Sequence, residues 1–160
     1  RPDFAEALHN MGIIYMKLER FDKALRHFSK ATEAGSAKPA TYTNIAKLYA
    51  RKKNIPAAIK NYRRALKKDP GYYLAHINVA ELYRHQKRYD KAQRHYEQLI
   101  SLDAHKAEAY KGLAEIYRKE GKYTEALRHA RKAQKHGAEI SAVFLDQLRS
   151  LQDTPPSKAQ

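Results

Sequence analysis

Displacing the sequence by 34 residues against itself sets like residues on like along most of its length, and this periodicity constrains the fold more than any other feature. A unit of that size cannot bury a hydrophobic face alone, so consecutive copies must stack on one another. The clearest copy runs from Pro39 to Tyr72, with Tyr42, Ile45, Ala46, Tyr49, Ala58, Tyr62, Ala65 and Pro70 at positions 4, 7, 8, 11, 20, 24, 27 and 32. Small residues recur at position 8 (Gly12, Ala46, Ala80, Ala114) and position 20 (Ala24, Ala58, Ala92, Ala126). A larger side chain at either would force apart two helices that cross closely within one copy. Aromatics at position 11 (Tyr15, Tyr49, Tyr83, Tyr117) and position 17 (Phe21, Tyr89, Tyr123, with Ile55 in the second copy) fill the space beside the crossing. One per copy at helical spacing, these tyrosines read as core before they read as a stacking platform for bases.

That order of small and aromatic residues at this period resembles the tetratricopeptide repeat, over residues 5–140 and four consecutive copies. The resemblance implies an all-α, right-handed α-solenoid of helix-turn-helix pairs, with first helices lining a concave groove and second helices facing outward. The copies are 5–38, 39–72, 73–106 and 107–140. Residues 1–4 read as the end of an upstream copy, because Pro2 falls at position 32, although Pro-Asp also suits a helix start. Gly35-Ser36 ends the second helix of the first copy, and Asp69-Pro70-Gly71 that of the second. In the third copy Leu99 replaces an alanine, which should widen one helix contact, and in the fourth Ala130 replaces the aromatic of Phe28, Tyr62 and Tyr96. Val143, Phe144, Leu148 and Leu151 share a face, so 141–151 reads as a capping helix that shields the array end, and 152–160 as a disordered tail.

The chain carries 32 Lys and Arg against 17 Asp and Glu, a net charge of +15, and therefore attracts anions. The excess is concentrated. The second copy holds Lys47, Arg51, Lys52, Lys53, Lys60, Arg63, Arg64, Lys67 and Lys68 against Asp69 alone, whereas the other copies carry +2, +2 and +3. Part of it, from Lys60 to Lys68, also reads as a solvated outer helix face. Absence of cysteine fits a reducing, cytoplasmic setting without requiring one. No apolar run is long enough for a membrane span.

Candidate function lies on the first helices, where positions 2, 6, 9 and 13 form one stripe by helical spacing. Position 6 is Asn10, Asn44 and Asn78, then Gly112. An amide offers a donor and an acceptor, so such a ladder can hold the backbone of an extended peptide largely regardless of its side chains. A similar ladder lines the repeats of O-GlcNAc transferase, which residues 54–78 resemble; asparagine is also simply common at this position in the family. Lys47, Arg51, Arg84, His85, Lys111, Arg118 and Lys119 lie on or beside the stripe, opposed by Glu6, Glu81, Glu108 and Glu115. Ile13, Met16, Leu74 and Ile77 add apolar contact. An acidic segment with a few apolar side chains suits that lining.

Catalytic and metal signatures are missing from the sequence. His27, His95 and His129 recur at position 23 as a repeat echo, glycine is too sparse for a phosphate loop, and no nucleophile motif occurs. Neither enzyme activity nor a cofactor is expected. The lysine and asparagine clamp of chaperone-tail binders is not reproduced, since His9, Ile13 and Leu74 occupy its positions and Asn44 alone matches. The leading reading is a non-catalytic scaffold for an extended, acidic protein or peptide partner. The alternatives are a nucleic-acid or polyanion binder acting through the second copy, and the substrate-recruiting arm of a larger enzyme.

Overall fold

A computed structural model describes residues 2–35, 37–103 and 105–153. Every element among them is helical: α1 (Pro2–Lys17), α2 (Phe21–Glu33), α3 (Pro39–Arg51), α4 (Ile55–Lys68), α5 (Tyr73–His85), α6 (Tyr89–Ser101), α7 (Lys106–Lys119), α8 (Tyr123–Lys135) and α9 (Ala142–Asp153). The chain divides into two compact units, residues 1–76 and 77–160, the division falling within α5.

Each repeat turns from its first helix to its second in the same way. Arg20, Asn54, Arg88 and Lys122 donate their amides to the carbonyls of Tyr15, Tyr49, Tyr83 and Tyr117, all at 2.9 Å. The residue before each donor is left-handed: Glu19 (φ 55°), Lys53 (58°), Lys87 (58°) and Gly121 (74°). This is the glycine position of a helix C-terminus closed by a six-to-one bond, yet three of the four copies place a charged side chain there. Asn54 then caps α4 by accepting from the Ala57 amide at 3.2 Å, with Pro56 in the first turn where its missing amide hydrogen is no loss.

Within the first unit, α1 packs on α2, α2 on α3 and α3 on α4. Phe28, Ala24, Ile45 and Leu48 form its inter-repeat core, flanked by Ile13, Tyr15, Met16, Phe21, Leu25 and Tyr49. In the second unit α6 packs on α7, α7 on α8 and α8 on α9. Leu148 of α9 is fully enclosed with Ala114, Ala126, Leu127 and Ala130. That explains Ala130: Phe28 and Tyr96 at this position press against Gly12 and Gly112, whereas here alanine admits a leucine from the capping helix. The position-20 alanines, Ala24, Ala58, Ala92 and Ala126, are all fully buried, as close crossing requires.

Histidine recurrence has a packing cause. His27 stacks on Tyr15 at 5.1 Å between ring centres, His95 on Tyr83 at 6.1 Å and His129 on Tyr117 at 5.0 Å. In the second repeat Asn61 takes that place and donates instead to the Ala57 carbonyl at 2.9 Å. His129, also 5.8 Å from the Tyr110 ring, leaves its Nδ1 buried without a partner among the described residues. Burial, then the positive charge of Arg128 and Lys132, pushes its pKa down to about 4.

Two sequence expectations change, and a third lies beyond the described residues. Pro2, Asp3 and Phe4, assigned by register to an earlier copy, form the first turn of α1. The capping helix runs to Asp153, so Gln152 and Asp153 belong to it rather than to a tail, because Leu148, fully buried just before them, anchors the last turns of the helix. Ser36 and residues 154–160, expected respectively at a helix end and in a tail, lie outside the described residues. No described helix is long and apolar enough to cross a membrane.

Candidate functional site

In the first unit the stripe is built from α1 and α3. Thr41 Oγ1 and His9 Nδ1 are hydrogen-bonded at 2.9 Å, and Lys38 pairs with Glu6 at 3.0 Å. These ties set the first half of α1 beside the start of α3 and leave a cleft of about 260 Å³ lined by Glu6, His9, Asn10, Lys38 and Thr41. Burial and the Lys38 charge hold His9 below the usual histidine range, against the opposing pull of Glu6. Asn10 is exposed at the cleft, Asn44 is half-buried on α3, and the side chain of neither makes a hydrogen bond among the described residues.

Two cations follow Asn44 on α3. Lys47 is half-buried and Arg51 exposed, its guanidinium 4.2 Å over the Phe21 ring. Neither has an acidic partner among the described residues; nearby Asp22 is occupied by Lys52. Ile13 and Met16, expected as apolar contacts for a ligand, are half-buried and pack against the core of this unit. Their helix positions adjoin both the stripe and the packed core of the unit.

The second unit arranges its stripe differently. Arg84 grips Glu81 through Nη2 at 2.5 Å and Nε at 3.1 Å, and Arg118 grips Glu115 at 3.1 and 3.3 Å. Tyr96, buried on α6, donates its hydroxyl to the other Glu81 oxygen at 2.5 Å. Burial pushes the Glu81 carboxyl up, but the bonds from Arg84 and Tyr96 outweigh it and hold the group below the usual carboxylate range. Burial and the Glu81 bond raise Tyr96, which therefore stays a protonated donor.

The Tyr96 ring reaches Glu81 by passing against Gly112. A Cβ at that glycine would lie 2.2 Å from Tyr96 Cζ. The break in the asparagine ladder is thus the space the ring occupies. Around it a cleft of about 370 Å³ is lined by Ile77, Glu81, Arg84, Lys111, Gly112 and Glu115 together with Tyr96 and Glu108.

Of the residues singled out in the sequence, the second unit therefore brings together Ile77, Glu81, Arg84 and Lys111. His85 is exposed within 4.0 Å of Glu81. Arg118 does not line that cleft but holds Glu115, which does, and lies 5.7 Å from the Phe144 ring of α9. Asn78 is half-buried on α5. His9, Thr41 and Tyr96 were not singled out; only the ladder break at Gly112 signalled the last, because an absent side chain invites a ring from elsewhere. A larger cleft of about 610 Å³ lies off the stripe, between Thr32, Glu33, Tyr42, Arg64, Lys67 and Lys68. No group of histidine and acidic residues that could hold a metal occurs among the described residues.

The sequence pattern of the tetratricopeptide repeat matches residues 3–69 and 72–137, most of the chain. The protein belongs to the tetratricopeptide repeat family. A comparison with curated proteins finds no match. Among solved structures, this tetratricopeptide chain is similar to MamA at 24% identity, covering 84% of this chain and 78% of that one with a TM-score of 0.75. It is also similar to a MamA fragment from Desulfovibrio magneticus RS-1, at 18% identity, 94% and 86% coverage and a TM-score of 0.79. Pseudomonas aeruginosa PilF matches at 17% identity, 94% and 69% coverage and a TM-score of 0.81. Identities this low establish the shared helical-repeat fold. Tetratricopeptide proteins are generally protein–protein interaction scaffolds.

Proposed function

We propose that this chain is a non-catalytic scaffold that holds an extended acidic protein segment on its first-helix stripe, with α3 supplying the attraction. One observation supports this best. Lys47 and Arg51 follow Asn44 on α3 without acidic partners among the described residues, whereas Arg84 and Arg118 are neutralised by Glu81 and Glu115 on their own helices. Uncompensated charge beside an uncommitted amide gives an acidic ligand both steering and a backbone contact. The carboxylates of the second unit would repel the same ligand but for their pairing.

A fluorescein-labelled peptide alternating glutamate with leucine and serine tests this by anisotropy at low and moderate salt. Reversing Lys47 and Arg51 to glutamate should remove most of the association rate; reversing Lys60, Arg63 and Lys67 on α4 should remove little. Greater loss from the α4 variant would place binding on the outer helix. Oligothymidylate as a second probe separates a general polyanion surface, whose binding falls steeply with salt, from a peptide ladder that keeps a salt-insensitive part.

A further inference from the structure

The cleft of about 610 Å³ off the stripe lies within the first unit, between the end of α2, the first turn of α3 and the last turns of α4. Arg64, Lys67 and Lys68 stand exposed along its α4 wall. None of the three has an acidic partner among the described residues, although Glu33 of α2 lines the same cleft. Tyr42 of α3 is half-buried there.

The second unit carries the same arrangement two periods on, and there the tyrosine is covered. Tyr110 corresponds to Tyr42, Lys132 to Arg64, Lys135 to Lys67 and His136 to Lys68. The His136 imidazole stacks on Tyr110, with 5.4 Å between ring centres and 23° between planes, and Lys132 Nζ lies 5.4 Å from the centre of the same ring. A flat heteroaromatic ring and a cation thus share the Tyr110 surface. In the first unit lysine replaces that histidine, and among the described residues no ring and no cation lies over Tyr42. What the chain supplies to Tyr110 from its own residues, the open cleft leaves to a ligand.

We propose that this cleft binds a nucleoside di- or triphosphate, with its base on the Tyr42 ring and its phosphates on Arg64, Lys67 and Lys68. The base repeats what His136 does on Tyr110, the phosphates meet three cations, and the Glu33 carboxylate can accept from the sugar hydroxyls. A cleft of this volume is of the size that small ligands occupy. A single nucleotide fits better than a nucleic-acid strand, because a strand stacks on a succession of open rings and Tyr110 is already covered. The site shares no residue with Asn44, Lys47 and Arg51, so it stands or falls independently of the stripe.

Isothermal titration calorimetry without magnesium compares adenosine triphosphate with inorganic tripolyphosphate, which has the charge but no ring. The nucleotide should bind at least about tenfold more tightly. Variants drawn from the chain's own repeats keep residues that these helix positions already accept: Tyr42→Leu follows Leu8, Arg64→Gln follows Gln98, and Lys67→Ser with Lys68→Leu follows Ser101 and Leu102. Tyr42→Leu should bring the two affinities together. Arg64→Gln, and separately the double lysine variant, should weaken both ligands, the latter by about tenfold. Lys60→Gln with Arg63→Gln removes as much charge from the exposed face of α4 outside the cleft, and at moderate salt should change affinity by less than about threefold. No binding of the nucleotide at millimolar concentration, equal affinity for the two ligands, an unaltered preference in Tyr42→Leu, or equal losses from the two double variants would overturn the proposal. So would an oligoadenylate that binds far more tightly per nucleotide than adenosine triphosphate, which would make a strand the ligand.

Discussion

Gly112→Ala is the sharpest probe of how the second unit is assembled. Alanine is the better helix residue by about 1 kcal/mol, so on an ordinary helix the change would stabilise. Here the new Cβ would stand 2.2 Å from Tyr96 Cζ and 2.6 Å from both Cε atoms. The ring cannot withdraw freely, because its hydroxyl is held by Glu81 at 2.5 Å and the side chain is buried. Overpacking of this kind costs about 1–3 kcal/mol, and loosening a hydrogen bond to a carboxylate costs about 1.5–3 kcal/mol more if the ring must move. Set against the helix gain, the net loss should be about 2 kcal/mol. Urea unfolding followed by circular dichroism should show a lower midpoint with an unchanged slope. In a Tyr96→Ala background the same substitution should become neutral or stabilising, because nothing then meets the Cβ. Stabilisation by Gly112→Ala in the otherwise unaltered protein, or an equal cost with and without Tyr96, would refute the reasoning.

Lys53→Gly or Lys87→Gly should raise stability by about 0.5–1 kcal/mol, since each lysine sits in the left-handed region that glycine enters without strain; a loss in either variant would contradict the turn geometry. With its folded pKa lowered to about 4, His129 stays neutral in the fold between that value and about 6.5, while the unfolded chain takes up the proton. Stability should therefore fall as pH drops through that window, by on the order of 2 kcal/mol after allowance for solvent screening. His129→Leu should flatten that part of the pH profile measured by thermal unfolding. Ala58→Leu, at a fully buried helix crossing, should destabilise by about 1–3 kcal/mol in the same assay. Asn44→Ala should weaken an acidic peptide by about 1–2 kcal/mol with little change in unfolding midpoint; an unaltered affinity would remove the amide from the site.

Fold class and helix pairing were legible in the sequence because they rest on residue size repeated at a fixed interval. Ala24, Ala58, Ala92 and Ala126 report a close crossing wherever they occur, and Tyr15, Tyr49, Tyr83 and Tyr117 report what fills the space beside it. The stripe was legible as far as helical spacing carries, which puts Asn10, Asn44, Lys47 and Arg51 on one side of their helices. Pairing was not. That Glu81 holds Arg84, and Glu115 holds Arg118, could be suspected from three-residue spacing, but that Lys47 and Arg51 find no acidic partner among the described residues depends on which side chains of neighbouring helices come within reach. Left-handed turns at Glu19, Lys53 and Lys87 were hidden for a related reason: the residue types disfavour that conformation, and packing of the paired helices imposes it. The ladder break is the clearest division between the two. An absent side chain at Gly112 could be read directly, but its occupant, the Tyr96 ring from another helix with its hydroxyl on a third, exists only once those helices are packed. Sequence determined which surfaces are small, large or charged along each helix; tertiary structure decided which of them meet, because contact between helices depends on distances that no local spacing encodes.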